Sequence, residues 1–292
     1  RTAEFPWDVR DVLAEHDLFA LGFPAEHGGL DAGLLTLCIA VEQISRACAS
    51  SGLMLAVQSL GALPLILAGT PDQQARWLPG MAAGRDLVAF ALTEPDAGSD
   101  ASAIRTRAER DEASGDWVIS GTKRFISHGS VAAYVAVLAV TNPDGPRHRR
   151  LSCLLVPTTS PGFSVLRLEH KMGIRGSPTA ELAFDRVRVP ADHLIGADGD
   201  GFDIAMRTFE RSRPGIAAQA VGIAQGALDV AAAYAGERRQ FGKPIADFQM
   251  VSAMLADMDA ATEAARAVLY CACAEIDAGS AAAARWASLC KL

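Results

Sequence analysis

The sequence lacks the short motifs that mark the common nucleotide-binding and hydrolytic enzymes. It has neither a Gly-x-Gly-x-x-Gly after a strand pattern nor a Gly-x-x-x-x-Gly-Lys-[Ser/Thr], so Rossmann and P-loop sites are both disfavoured. It has no Gly-x-Ser-x-Gly elbow, which leaves an α/β-hydrolase without support. It also lacks a basic excess. Its 27 Lys and Arg stand against 34 Asp and Glu, a net charge of −7, which argues against a nucleic-acid-binding protein.

Metal-binding patterns are missing as well. None of the six histidines forms His-Glu-x-x-His or His-x-x-x-His, and none of the six cysteines forms Cys-x-x-Cys, so zinc is not indicated. The cysteines are predicted to be small buried hydrophobes of a reducing cytoplasm. Asp198 and Asp200 have calcium-loop spacing, but Phe202 and Phe209 occupy the fifth and twelfth positions of that loop. We predict a turn before a helix there, and no metal ligand anywhere.

The longest apolar stretch, "SGLMLAVQSLGALPLILAG", is interrupted by Gln58, Ser59 and Pro64. A membrane span needs about 20 nearly unbroken apolar residues, so this stretch is predicted to be a core helix. The chain opens on "RTAEF" and closes inside a helical pattern, "AAAARWASLCKL", with no Gly or Pro stop. We therefore expect the natural protein to have further residues on either side.

The spacing of apolar residues divides the chain into three parts. It has helical period from residue 7 to 87, where the first helix is predicted to stop at Gly22 and another to begin at Thr70 as N-cap. A period of two follows, with turn clusters between β-rich runs, and the helical period returns from residue 203. The predicted fold class is α+β. Its parts are an N-terminal helical domain (1–87), a middle antiparallel β domain (88–197) and an incomplete C-terminal helical domain (198–292).

Four segments carry a family resemblance. They are "AFALTEPDAGSD" (89–100), "GTKRFISHGS" (121–130), "KMGIRGSPTAELAFDRVRVP" (171–190) and "RRQFGKPIADFQ" (238–249). Any one alone is weak, but in this order and spacing they resemble the signature stretches of acyl-CoA dehydrogenases. The α–β–α order is similar too, and the resemblance extends from "LGFPAEHGGL" to the last residue.

The resemblance implies a homo-oligomeric flavoprotein, a dimer or tetramer, that holds FAD non-covalently. Such an enzyme oxidises an acyl-CoA thioester to the trans-2-enoyl-CoA. A carboxylate removes the α proton, the β hydrogen leaves as hydride to flavin N5, and electrons usually pass to an electron-transfer flavoprotein. Two alternatives stay open: a flavin monooxygenase or oxidase of the same fold, and a non-catalytic or carrier-protein-thioester-specific relative.

The resemblance also implies which residues contact the ligands. FAD would contact the loop after the first strand, the end of "KRFIS" and, from a neighbouring subunit, the "RRQFGKPIADFQ" segment. These residues are Phe90, Leu92, Thr93, Gly98, Ser99, Phe125, Ile126, Ser127, Arg238, Phe241 and Gln249. Ser99, Glu210 and Arg213 would line the acyl-CoA pocket. His128, which replaces a common Asn, is expected to be a turn residue.

The acids of "ALTEPDAGSD" pose a problem, because FAD carries a negatively charged diphosphate. We expect Glu94, Asp96 and Asp100 to shape the turn and face away, while N–H groups near Gly98 and the Ser99 hydroxyl face the phosphate.

No residue matches the catalytic base. A subset of the family places its Glu at the position of Ser212, which cannot serve without an activator. Most members supply it from a late segment, so the expected Glu lies beyond Leu292.

Overall fold

The computed structural model describes residues 3–292. Its first part is helical, with α1 (Trp7–Glu15), α2 (Gly33–Ala47), α3 (Ala49–Ala68) and α4 (Pro71–Ala82). The prediction that the first helix runs on to Gly22 was wrong. Helix α1 ends at Glu15, because Asp17 takes a left-handed φ of 55°, and Leu18–Gly22 forms a separate 3₁₀ turn.

Helix α4 begins at a capping box, in agreement with the predicted start. Thr70 Oγ1 accepts from the Gln73 N–H at 3.3 Å, and Gln73 Oε1 accepts from the Thr70 N–H at 2.9 Å. The Gln73 amide also donates to the carbonyls of Asp192 and Leu194, at 2.7 Å each. The cap therefore ties α4 to the end of the sheet.

The middle part is one sheet of eight strands. They are β1 (Val88–Ala91), β2 (Arg107–Arg110), β3 (Trp117–Ser127), β4 (Tyr134–Val140), β5 (Leu151–Pro157), β6 (Phe163–Leu168), β7 (Thr179–Val189) and β8 (Leu194–Ile195). The order is β6-β7-β3-β2-β4-β5-β8, with β1 also paired to β4. Most pairs are antiparallel, as predicted, but β1 runs parallel to β4 and β2 meets β4 in parallel at one pair.

The centre of the sheet, at β4 and β5, is buried on both faces, and the side chains of β4 show how. Alternate residues such as Leu138 enter a cluster with Trp77 and Met81 of α4. The residues between them, such as Val137, pack in a second cluster with Phe184 of β7. Because side chains alternate across a strand, one central strand supports two cores. The loop after β1 therefore leaves the buried centre of the sheet.

The last part holds α5 (Gly201–Glu237), a short β9 (Arg239–Gln240) and β10 (Lys243–Pro244) hairpin, α6 (Gln249–Asp277) and α7 (Ala283–Lys291). Helix α5 continues through Pro214 as one helix of 37 residues.

By length and composition alone, α3 and α5 could cross a membrane. Buried core helices pass that criterion too, and 72% of the apolar window of α3 is buried.

The described chain forms two compact units. One combines the residues up to Ala32 with Val57–Arg211, and the other combines Gly33–Ala56 with Ser212–Leu292. The second unit has a buried polar centre at Glu42 of α2. Its carboxylate accepts from Arg266 Nε at 2.8 Å and from the Tyr270 hydroxyl at 2.9 Å. The three domain boundaries stay a prediction.

We expect Thr70→Ala to lower the free energy of unfolding by about 1 kcal/mol, because the first turn of α4 loses its side-chain acceptor. Thr70→Ser keeps the acceptor and is the matched control. Urea unfolding followed by circular dichroism measures both. Equal stability of the Ala and Ser variants would contradict this role of the cap.

Candidate active site

Strand β3 ends in a bulge that turns an aromatic ring outward. Lys123 pairs with Leu182 and Ile126 with Ala180, and the register shifts between these pairs. Within the bulge Phe125 takes a left-handed φ of 60°, uncommon for a residue with a bulky side chain. Its ring is 55% exposed, whereas Ile126 beside it is 2% exposed. The bulge thus presents one aromatic face outside the sheet.

The loop after β1 lies directly along this strand. The Arg124 N–H donates to the Thr93 carbonyl at 2.8 Å. Lys123 Nζ donates to the Leu92 carbonyl at 2.9 Å and to Glu94 Oε1 at 2.8 Å. These bonds bring Thr93 next to the Phe125 bulge, so two of the four signature segments meet at one place.

Glu94 is a structural residue of the loop. Its carboxylate accepts from the N–H groups of Arg105 at 2.6 Å and Thr106 at 2.9 Å, as well as from Lys123. Its backbone exchanges two hydrogen bonds with Ala97, which close the turn. Burial alone would raise the pKa of Glu94, but the Lys123 charge and these hydrogen bonds hold it below its ordinary value. An ionised, fully engaged carboxylate suits the predicted turn-shaping role and not that of a base.

The partner of Glu94 is the more unusual residue, because Lys123 is 0% exposed. Burial lowers its pKa to about 8, and the attraction of Glu94 opposes this shift. Lys123 is a residue that the sequence motifs do not single out. The available signal was its position two residues before the aromatic of the "GTKRFISHGS" segment.

The tip of the loop offers unoccupied backbone donors. The N–H groups of Gly98 and Ser99 have no hydrogen-bond partner within residues 3–292. A Cβ placed on Gly98 would meet no atom within 4 Å, so the space beside it is open. The Asp100 carboxylate is engaged elsewhere, by Ser102 Oγ at 2.6 Å and Arg147 Nη2 at 2.7 Å. Free amides beside occupied carboxylates fit an anion such as the diphosphate of FAD.

A cavity of about 320 Å³ adjoins this loop. Ser99 lines it from the loop, Arg147 and His148 from the β4–β5 connection, and Phe202 and Met206 from α5. Glu210 is half-buried one turn beyond Met206, on the same side of α5. The cavity combines an apolar wall with a polar rim, in which Arg147 is paired with Asp100. Arg147 and Met206 are further residues that the sequence motifs do not single out.

The predicted site residues of the first unit differ in exposure. Phe125, Gly98 and Ser99 are exposed, and Thr93 and Ser127 are partly so. The side chains of three others lie in the core: Phe90, Leu92 and Ile126. Phe90 also makes an edge-on contact with Phe209 of α5, with ring centroids 5.8 Å apart.

The remaining predicted site residues belong to the second compact unit. Arg238 and Gln249 are exposed, on either side of the β9–β10 hairpin. Phe241 in that hairpin is 93% exposed, and its ring meets Phe248 edge-on at 6.1 Å. Arg213 donates to Ser288 Oγ at 3.3 Å. An exposed Arg and an exposed aromatic ring leave this segment open to a ligand.

His128 behaves as the expected turn residue, with a left-handed φ of 61°. Its ring is buried, packs edge-on against Phe5 at 5.4 Å, and finds no hydrogen-bond partner within the described chain. Burial lowers its pKa to about 4, with a smaller contribution from Lys171. The imidazole is therefore neutral at pH 7.

Three family models match nearly the whole chain. The acyl-CoA dehydrogenase N-terminal domain matches residues 1–85, the middle domain residues 89–187 and the C-terminal domain residues 199–292. The chain belongs to the acyl-CoA dehydrogenase family. It is an oxidoreductase that acts on acyl-CoA, and its cofactor is FAD.

Individual relatives agree with the family models. A probable acyl-CoA dehydrogenase of Mycobacterium leprae is 43% identical over 277 residues, which are 95% of this chain and 70% of that protein. The butyryl-CoA dehydrogenase structure from Megasphaera elsdenii superposes with a TM-score of 0.93 at 36% identity, covering 99% of this chain and 77% of that one. A chain from the structural study of the electron transferring flavoprotein of Acidaminococcus fermentans superposes with a TM-score of 0.95 at 37% sequence identity. The match covers 99% of this chain and 75% of that one.

We expect Glu94→Gln to lower the free energy of unfolding at pH 7 by about 3 kcal/mol, because Lys123 loses its buried counter-charge. The folded-state pKa of Glu94 lies below its ordinary value of 4.5. Its stabilising contribution is therefore complete above pH 4.5 and is lost as the pH falls through the folded-state pKa. Urea unfolding between pH 7 and pH 3 should show a shallower acid loss in the variant than in the native protein.

The control for this measurement is Asp96→Asn, which removes an exposed carboxylate 3.7 Å from Arg105. It should change stability by less than about 0.5 kcal/mol. If the free energy of unfolding fell equally with pH in the native protein and in Glu94→Gln, Glu94 would not be the stabilising carboxylate.

Proposed function

We propose that this chain catalyses the α,β-dehydrogenation of an acyl-CoA thioester to the trans-2-enoyl-CoA, with electrons passed to an electron-transfer flavoprotein. The observation that carries the proposal is the hydrogen bond from the Arg124 N–H to the Thr93 carbonyl, which places the exposed Phe125 ring next to the loop that continues to the amides of Gly98 and Ser99. An aromatic face beside backbone anion donors suits a ligand that joins a flat ring to a diphosphate. When bound, FAD supplies the acceptor for the hydride that leaves the β-carbon.

The residues of the first unit have distinct roles in this proposal. Phe125 packs against the flavin ring, while Thr93 and Ser127 donate hydrogen bonds to it. Gly98 and Ser99 hold the diphosphate side. The side chains in the core, Phe90, Leu92 and Ile126, support this wall from beneath.

Other contacts to FAD come from a second copy of the chain. Arg238 offers a planar fork suited to a diphosphate, and Phe241 and Gln249 accompany it. The second unit exposes an unusual number of large apolar side chains along α5, the hairpin and α6: Val230, Tyr234, Phe241, Met250 and Met254. Such a surface supports a homo-oligomer, a dimer or tetramer, in which it is covered.

The acyl-CoA thioester is proposed to occupy the cavity beside Ser99. Glu210 and Arg213 are proposed as further acyl-CoA contacts on the resemblance alone. Within residues 3–292 the Ser212 hydroxyl has no hydrogen-bond partner that could activate it as a base. The catalytic Glu is predicted to lie beyond Leu292. The similarity to a chain in an electron transferring flavoprotein structure supports an electron-transfer flavoprotein as the acceptor. We propose a cytoplasmic location.

Arg238→Ala should lower the FAD content of the purified protein several-fold, since loss of one charge-assisted contact to a diphosphate costs about 1.5–3 kcal/mol. The matched control is Arg239→Ala, an exposed arginine one residue further on. Flavin absorbance per protein is the measurement. Unchanged flavin content in Arg238→Ala would remove Arg238 from the cofactor site.

The reaction itself is tested by mixing the FAD-loaded full-length protein, which includes the segment expected to supply the catalytic Glu, with acyl-CoA thioesters of different chain length without oxygen. Flavin absorbance at roughly 450 nm should fall, because the flavin takes up two electrons from the substrate. The product should be the trans-2-enoyl-CoA by mass spectrometry. Failure with every chain length would favour a non-catalytic or carrier-protein-specific relative.

A further inference from the structure

Lys123 makes contacts that a merely space-filling residue would not need. It is fully buried, and its ammonium group divides its hydrogen bonds between the Glu94 carboxylate and the Leu92 carbonyl. A buried ion pair is often no more stabilising than apolar residues of the same volume. The ion pair with Glu94 therefore does not explain why Lys123 also donates a hydrogen bond to the Leu92 carbonyl.

The Leu92 carbonyl belongs to the peptide unit whose N–H is that of Thr93. In a planar trans peptide the C=O and N–H point in opposite directions. Because Lys123 holds the carbonyl toward the core, the Thr93 N–H is directed away from it. That N–H has no partner within residues 3–292, and Thr93 is partly exposed. The next carbonyl, that of Thr93, is fixed by Arg124. The orientation of the free N–H is thus set from two sides.

We propose that Lys123 is a positioning residue for FAD, which fixes and polarises the Leu92–Thr93 peptide so that the Thr93 N–H donates to the flavin ring. The inference rests on the proposed placement of the ring beside Thr93 and Phe125. A cation bonded to a carbonyl draws electron density from the peptide and strengthens its N–H as a donor. The flavin ring gains negative charge on reduction, so a stronger donor favours the reduced cofactor and raises its midpoint potential.

A purely structural role for the Lys123–Glu94 pair makes a different prediction. In that case the pair matters only because one buried charge without the other is unfavourable. Replacing both charges with neutral residues of similar size would then restore the native site. If Lys123 acts through the Leu92 carbonyl, neutralising both charges restores the fold, but it does not restore the flavin midpoint potential or the Kd for FAD.

The test compares Lys123→Met and the double variant Lys123→Met/Glu94→Gln with the native FAD-loaded protein. Both variants should have a more negative flavin midpoint potential, and their Kd for FAD should rise by about tenfold, as for loss of one hydrogen bond. The double variant decides the matter even if Lys123→Met does not fold. A native potential and a native Kd in the double variant would overturn the proposal.

Arg188→Met is the matched control, because it also removes one positive charge from the sheet. Arg188 pairs with Val118 near the start of β3 and bonds the Asp111 carboxylate at 2.7 Å. Its flavin potential should equal that of the native protein. A shift as large as that of Lys123→Met would show that the loss of one positive charge, and not the contact of Lys123 with Leu92, sets the potential.

The native protein offers an independent measurement. Hydrogen exchange of the Thr93 amide should slow on addition of FAD, since the free N–H becomes bonded. Equally fast exchange with and without FAD would overturn the proposal. Neither readout uses acyl-CoA, so a failed dehydrogenation reaction with these results intact would reject the proposed function and leave this inference standing.

Discussion

The buried contact between Lys123 and the Leu92–Glu94 segment is the constraint on which the candidate site depends. It joins two pieces of chain that are 29 residues apart, the loop after β1 and the end of β3. Without it, the loop would be a polar turn leaving an apolar sheet. With it, the Thr93 peptide, the Phe125 ring and the turn that leads to Gly98 have fixed relative positions. The carboxylate of Glu94 holds the same turn through the amides of Arg105 and Thr106.

This arrangement shows how an acid-rich loop can receive an anionic cofactor. The charges of Glu94 and Asp100 are directed into hydrogen bonds with Lys123 and Arg147. The backbone donors of Gly98 and Ser99 have no partner in the part of the chain that the structure describes. The chemistry of the loop therefore lies in its peptide groups, and its carboxylates serve to orient them.

Much of the fold was predictable from the sequence because it depends on local patterns. The change of apolar period marks the sheet, and Thr70 with Pro71 marks the start of α4. The break after Glu15 was not predicted, because the left-handed φ at this point belongs to Asp17 and not to a Gly, which would have marked it in the sequence. The parallel pairing of β1 with β4 depends on contacts between distant segments, which period alone does not encode.

The same distinction applies to the site. Motifs predicted ligand contacts for Thr93, Gly98 and Phe125 because each stands in a characteristic short segment, and these contacts stay predictions. The motifs did not reveal that Phe125 lies in a bulge, that Lys123 is buried, or that Arg147 adjoins the cavity of Ser99. Those facts follow from register shifts and from pairing between segments, and only three-dimensional structure supplies them.

The most direct test is a crystal structure of the protein with FAD bound. The account predicts a flavin ring against Phe125, the Thr93 N–H within about 3.2 Å of a flavin heteroatom, and Lys123 still bonded to the Leu92 carbonyl. A flavin bound elsewhere, or one whose ring does not approach Thr93 and Phe125, would contradict it.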